Sequence, residues 1–352
     1  MTKKYVVMIG SEFTSPGGIS SVVSTYKNSG LFEIANVKYI ASYDKPNKIM
    51  MLFKFISCFL SLFRLLISNQ VSCVHVHSAS RGSFWRKMII LKFSHYFGVR
   101  TIFHLHSGEF ENFYRSQNPS IKRFISNFLS EVDIVIALTE HWKRVVKNIS
   151  PNSHVRVVSN PVQTFEGNYK RKHNQILFLG RLRETKGLYE LVDACALLKQ
   201  QGLPFNLVLA GDGDIEGVRK LCIDKDIYEH TSLTGWVEGT NKERLLLESD
   251  IFVLPSYFEG LPIGVLEAMA NRVAVIATSV GGIPDILTNG HDGLLVPSRD
   301  HLELAGAIKT LLQQPARKQM YIDNAFSRAT EHYHCDSVNL ALLNLYLSED
   351  YS

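Results

Sequence analysis

The chain has 352 residues, 45% hydrophobic and 20% charged, a globular balance long enough for two domains of ordinary size. Its five cysteines are scattered without a Cys-x-x-Cys pair, which argues against a disulfide framework and for a reducing cytosol. The net charge of +5 conceals a basic first half: residues 1–160 hold 20 Lys and Arg against 8 Asp and Glu, which suits an anionic partner, and the absence of any zinc-finger, RNP or helix-turn-helix pattern sets nucleic acid behind a phosphorylated substrate or a membrane surface.

At the N-terminus, MTKKYVVMIG runs straight into a strand (5–10), and its apolar core is too short for a signal peptide. SEFTSPGGISSVV (11–23) follows and opens a helix. Gly17 and Gly18 let backbone approach a ligand there, and free N–H groups face an anion; a tight strand-to-helix turn would look the same. Residues 49–68, IMMLFKFISCFLSLFRLLIS, have the length of a transmembrane helix. Lys54 and Arg64 lie inside, however, each costing about 2.5–3.5 kcal/mol at a helix centre. Lys54, Ser57, Ser61, Arg64 and Ser68 form one narrow polar stripe, which reads as a packed helix with a solvated edge. The alternative is a basic amphipathic helix resting on an anionic bilayer.

Further strands are predicted at 71–77, 100–106, 133–138 and 155–160. His75 and His77 close the first of these, and His104 and His106 the second. His104 and His106 point to one side, so a metal site is a rival reading; it lacks a third ligand in the local sequence. The polar stretch TFEGNYKRKHN (164–174) reads as a linker. Beyond it, strands at 175–180, 205–211, 230–235, 251–255, 273–278 and 293–297 alternate with helical patterns such as 187–201, 241–249, 261–271 and 300–313. Near-continuous apolar strands alternating with helices predict doubly wound parallel sheets, which bind ligands beyond the carboxyl ends of their strands.

In FLGRLRETKGLYELV (178–192), Arg181 and Lys186 converge with a helix start on one loop, which suits a diphosphate; a pair of solvated cations is the plain alternative. VLAGDGD (208–214) has Gly-x-Gly after a strand and can be only a turn. Around Gly235 and Val237, backbone is placed to read the edge of a nucleotide base, while Trp236 fits a core position equally well. YFEGLPIGVLEAMANR (257–272) sets Glu259 and Glu267 eight residues apart, the second inside an apolar run. A carboxylate buried there needs a partner.

Taken together, FEGLPIGVLEAMA, FLGRLRETKG, VGGIPDILTNGHDGLLVP (280–297), VRVVSNPV (155–162), PGGISSVV and FHLHS resemble the motifs of the family 4 retaining glycosyltransferases over nearly the whole chain. Asp285 stands where that pattern usually has Glu. The resemblance implies an α/β GT-B fold: two Rossmann-like, doubly wound parallel-sheet domains facing a central cleft. The domains would be 1–163 for the acceptor and 164–334 for the nucleotide sugar, with a last helix at about 335–352 packing back on the first. It also implies roles. Glu267 would accept hydrogen bonds from the ribose, so that its partner is ligand rather than protein. Glu259 would stand near the donor sugar, and Gly260, Leu261 and Pro262 would flank sugar or phosphate. Arg181 and Lys186 would stabilise the leaving diphosphate, and His106 would face the sugar.

No metal or other cofactor is expected. Leaving-group charge can be met by the two cations, and no nucleophile for a covalent intermediate presents itself. Motifs at 78–92 and 104–114 resemble transferases of bacterial O-antigen, capsule and exopolysaccharide assembly. That likeness implies a hexose or N-acetylhexosamine donor, UDP-linked by preference, and an undecaprenyl-diphosphate-linked or other saccharide acceptor. It also implies a cytoplasmic protein held peripherally on the inner membrane's anionic surface. An epimerase of the same fold and an inactive nucleotide-sugar-binding regulator are the alternatives.

Overall fold

The computed structural model describes residues 4–15, 17–43, 48–167 and 169–347. It contains two compact units, one running to Pro161 and resuming at Cys335, the other Val162–His334.

The first unit runs β1 (Tyr5–Gly10), α1 (Gly18–Asn28), α2 (Leu31–Ile34), β2 (Val37–Ala41), α3 (Lys48–Ile67), β3 (Val71–Ser78), α4 (Gly82–Tyr96), β4 (Arg100–Leu105), α5 (Phe110–Arg115), α6 (Pro119–Glu131), β5 (Ile134–Ala137), α7 (Glu140–Ile149) and β6 (Val155–Val157). Its parallel sheet has the order β2-β1-β3-β4-β5-β6. The order reverses between β1 and β3, which makes that edge the topological switch point. One sheet face, through Val74, Val76, Phe103 and Leu105, packs on Phe84, Phe110 and Phe128 from the covering helices. Asn118 caps α6 with Pro119 in its first turn, and Thr139 caps α7.

The second unit runs β7 (Gln175–Leu179), α8 (Leu188–Gln200), β8 (Asn206–Ala210), α9 (Ile215–Asp224), β9 (Thr231–Gly235), α10 (Gly239–Glu248), β10 (Ile251–Leu254), α11 (Ile263–Ala270), β11 (Ala274–Thr278), α12 (Ile283–Ile286), β12 (Leu294–Val296), α13 (His301–Gln313) and α14 (Pro315–His332). Its sheet, also parallel, has the order β12-β11-β10-β7-β8-β9, so its switch point lies between β7 and β10. The last helix, α15 (Cys335–Leu347), belongs to the first unit. There Asn339 Nδ2 donates to Ser29 Oγ at 2.8 Å. The expected end of this helix, 348–352, lies outside the described residues.

Three features differ from the sequence expectation. Strand β2 was not predicted, because a half-exposed edge strand lacks a continuous apolar run. Within the stretch expected as a linker, Phe165 and Lys172 are bonded to the second unit: Phe165 N donates to Asn271 Oδ1 at 2.7 Å and Lys172 N to Glu248 O at 2.8 Å. The third is α3, whose solvent side is apolar where a polar edge on a packed helix was expected. Ile49, Phe53, Ile56, Leu60, Phe63 and Ile67, spaced three and four apart, are all exposed, while Cys58, Leu62, Leu65 and Leu66 join the core. Lys54 of the polar stripe is bonded at 2.6 Å to Glu12.

Candidate active site

The second unit's switch point gathers the loops after β7 and β10, and six of the predicted residues stand on them: Arg181, Lys186, Glu259, Gly260, Leu261 and Pro262. Gly180 N donates to Ala210 O at 3.0 Å, which begins a zipper between the loops after β7 and β8. A Cβ on Gly211 would lie 1.7 Å from Gly180 O, so only glycine permits this approach. Arg181, half-exposed, forks onto both carboxylate oxygens of Asp212 at 3.2 and 3.1 Å. One 3-10 turn, Glu184–Lys186, then leads to Gly187, whose φ of +70° ends the turn and starts α8.

Lys186 is aimed from this turn at the loop after β10. Its Nζ donates to Glu259 Oε1 at 2.5 Å, with side-chain exposures of 20% and 10%. The two loops are also joined through backbone, since Tyr257 N donates to Thr185 O at 3.0 Å. Tyr257 OH donates to Glu190 Oε1 at 2.7 Å, under the Arg299 guanidinium. From beyond β11, Gly282 N donates to Gly260 O at 3.1 Å. A Cβ on Gly281, at φ +55°, would fall 1.9 Å from Glu259 O. The Gly-Gly pair thus sets the depth of Glu259. Gly260, Leu261 and Pro262 are buried as they enter α11. Asp285 sits on α12, which starts just after the glycines. The buried hydroxyls of Thr185 and Ser256, on the same two loops, have no hydrogen-bond partner among the described residues.

Glu267 lies one helical stretch further, on α11, only 8% exposed. Its Oε1 accepts from Lys242 Nζ on α10 at 2.6 Å. This corrects the expectation that its partner would be ligand rather than protein. Lys242 was missed because the pair spans 25 residues and two helices, and no local pattern marks it. Nearby, Gly235 has φ +73° with open space where a Cβ would stand, and Val237 is half-buried. Trp236 is exposed rather than core.

The remaining predicted residues belong to the first unit. Gly17, at φ +151°, caps α1, and Gly18 is its first residue, both just beyond the carboxyl end of β1. His106 stands directly after β4, where its Nε2 meets His77 Nδ1 at 2.8 Å. Burial holds it at about 3, well below the ordinary imidazole value, so it is neutral at pH 7.

The arrangement offers two ammonium groups, each already balanced by a buried carboxylate, and a guanidinium at the edge. Each ammonium has three donors and uses one on its glutamate, leaving the others for an anionic ligand.

Residues 160–328 match the family model described as glycosyl transferases group 1, and residues 4–165 match the model of glycosyltransferase family 4. The chain is 30% identical over 208 residues to the amylovoran biosynthesis glycosyltransferase AmsK of Erwinia amylovora, covering 55% of this chain and 51% of that protein. It spans about half the length of the curated relatives it matches. Among solved structures, sucrose-phosphate synthase from Thermosynechococcus elongatus superposes with a TM-score of 0.81 at 17% identity, covering 98% of both chains. The Anabaena protein HepE, solved with UDP and glucose, gives a TM-score of 0.76 at 15% identity, covering 97% of this chain and 99% of that one. Both share the two-domain GT-B fold.

Proposed function

The chain belongs to the group 1 glycosyl transferases of glycosyltransferase family 4, and on that premise we propose that it moves a hexose or N-acetylhexosamine, with retention, from a nucleotide diphosphate sugar to a saccharide acceptor of bacterial surface polysaccharide assembly. The observation that carries the reading is the Lys186–Glu259 pair at the switch point between β7 and β10. Breaking the anomeric bond leaves negative charge on the diphosphate and positive charge on the sugar. Lys186 stabilises the first, joined by Arg181 once it leaves Asp212, and Glu259 stabilises the second. In this role the two cations suffice without a metal. Glu267, held by Lys242, accepts from the ribose, and backbone at Gly235 and Val237 reads the base. UDP is the nucleotide we favour, in keeping with the UDP bound to HepE. Gly260, Leu261 and Pro262 enclose the sugar and phosphate.

Neutral His106 bonds a sugar hydroxyl and so orients the anomeric carbon, while Gly17 and Gly18 allow close approach of substrate to backbone. In the mechanism we favour, no covalent intermediate forms and the acceptor attacks from the face the nucleotide leaves.

The acceptor we favour is carried on a lipid diphosphate. The exposed row Ile49, Phe53, Ile56, Leu60, Phe63 and Ile67 supports a peripheral protein whose α3 lies in the surface of an anionic bilayer, attracted by the basic first half. On this reading the enzyme works at the cytoplasmic face of the inner membrane.

A panel of nucleotide diphosphate sugars tests the donor assignment by thermal stabilisation. A donor at 100 times its Kd should add about 2.7 kcal/mol. No response to any of them at millimolar concentration would refute the reading. Slow release of free sugar without acceptor is expected. Stabilisation without release would identify an inactive binder, and interconversion of donor sugars an epimerase. Sedimentation with anionic liposomes, reversed by salt, is expected for the membrane assignment. Its absence at every salt concentration would refute it, and binding indifferent to salt and lipid charge would mean an inserted helix.

A further inference from the structure

The first unit carries four imidazoles on one face of its sheet. His75 and His77 alternate along β3, and His104 of β4 is the cross-strand neighbour of His77. The opposite face, through Val74, Val76, Phe103 and Leu105, is the hydrophobic core already described. His75, His77 and His104 are buried completely or nearly so. One ring nitrogen from each lies within 4.8 Å of the other two. The third ligand absent from the local sequence at His104 is therefore supplied by the neighbouring strand.

The His77 ring keeps a nitrogen free on the side away from its bonded one: His77 Nε2 is buried and lacks a hydrogen-bond partner among the described residues. A core that merely tolerated histidine would pair it, since an unmet buried polar atom bears its full desolvation cost. Other nitrogens of the cluster are held from outside. His75 Nδ1 lies 2.7 Å from Tyr346 OH of α15, and His77 Nδ1 lies 2.8 Å from His106 Nε2. This is the pattern of metal-binding imidazoles, whose far N–H is oriented by a fixed acceptor. His75 Nε2 and His104 Nδ1 stand 3.2 Å apart. A tetrahedral ion with bonds of about 2.0–2.1 Å needs nitrogens about 3.3 Å apart along each edge.

We propose that His75, His77 and His104 bind one zinc ion, or a divalent d-block cation of like preference, in the sheet of the first unit. Three neutral imidazoles without a carboxylate select such an ion over magnesium or calcium. The ion sits in a different unit from the proposed diphosphate site, and with three protein ligands its fourth position is left for a water. Bound there, it fixes His77 so that Nδ1–H donates to His106 Nε2, which sets the tautomer of His106. Through His75 and Tyr346 it also ties α15 to the sheet. The site itself is independent of the donor assignment; only the consequence for His106 rests on it.

The test uses the full chain without a polyhistidine tag, stripped with a chelator and given Zn²⁺ or Co²⁺ alone. One equivalent of either ion should bind per chain and raise the melting temperature. Co²⁺ should add the intense visible absorption of a tetrahedral site. His77→Gln combined with His104→Gln should abolish the bound equivalent, while His95→Gln should keep it. Tyr346→Phe should weaken Zn²⁺ binding by about 10–100-fold, as loss of an outer partner does. Should the double variant fail to fold, the Co²⁺ spectrum of the unaltered chain decides. Substoichiometric metal with no shift in melting and no Co²⁺ absorption would overturn the proposal. So would undiminished binding by the folded double variant.

Discussion

Replacing Lys186 separates its two proposed tasks, balancing Glu259 in the free protein and stabilising the leaving diphosphate. Lys186→Ala leaves the Glu259 carboxylate, whose side chain is 10% exposed, without its 2.5 Å partner. Stripping one member of a buried pair costs about 3–5 kcal/mol; water reaching this pair lowers that to about 2–3 kcal/mol. Adding Glu259→Gln removes the stranded charge, so the double variant should recover most of the loss. Urea unfolding with unchanged slope would read both effects. Turnover should behave otherwise. Lys186→Ala should lower it about 10²–10³-fold, the size of one electrostatic donor lost at a developing charge. The double variant should stay as slow or slower, because neutralising Glu259 restores no positive charge to the diphosphate. Nucleotide release from the donor in the presence of acceptor is the assay. If turnover recovered together with stability, the pair would be a structural ion pair, and the leaving-group assignment would fall.

Glu267→Gln should weaken free nucleotide about 10-fold or more, the worth of a hydrogen bond to a charged group, whereas Glu259→Gln should impair transfer more than nucleotide binding; equal losses of UDP affinity by calorimetry would contradict the division of roles. Gly281→Ala should lower both stability and transfer, because its Cβ would stand 1.9 Å from Glu259 O, while Gly202→Ala, at φ +71° in open space, should show only the backbone strain of about 1–2 kcal/mol. Lys87, buried against Ser42 with Cys58 of α3, His77 of β3 and its neighbour Arg86 around it, is lowered by burial to about 7. The unfolded chain binds that proton up to its ordinary value, so the contribution of Lys87 to stability should rise with pH above about 7, by about 2–3 kcal/mol between pH 7 and pH 9. Burial raises the thiols of Cys58, Cys73, Cys195 and Cys222, which act in the opposite sense. The measurement is therefore the difference in unfolding free energy between the unaltered chain and Lys87→Met, which should grow by this amount across that range.

Read alone, the sequence determined the parts of this protein that are local. Apolar strands alternating with helices imply parallel sheets because both faces must be covered. Strand ends followed by Gly-Arg or Glu-Gly-Leu-Pro mark ligand loops because helix starts and backbone N–H groups cluster there. Arg181, Lys186, Glu259 and Glu267 were named on such grounds together with the family resemblance. Their partners were decided by tertiary structure. Which lysine meets which glutamate depends on strand order, since β7 and β10 are neighbours only because the chain returns across the sheet. Lys242 reaches Glu267 from a different helix, and nothing in its own neighbourhood announces that. The histidines show the same limit: two rows of two, separated by 29 residues, become one cluster only when β3 and β4 pair in register. For α3, composition and period were legible, but which stripe faces the core was not. Both the apolar stripe inside and the one outside satisfy the helical repeat, and only packing against the sheet tells them apart.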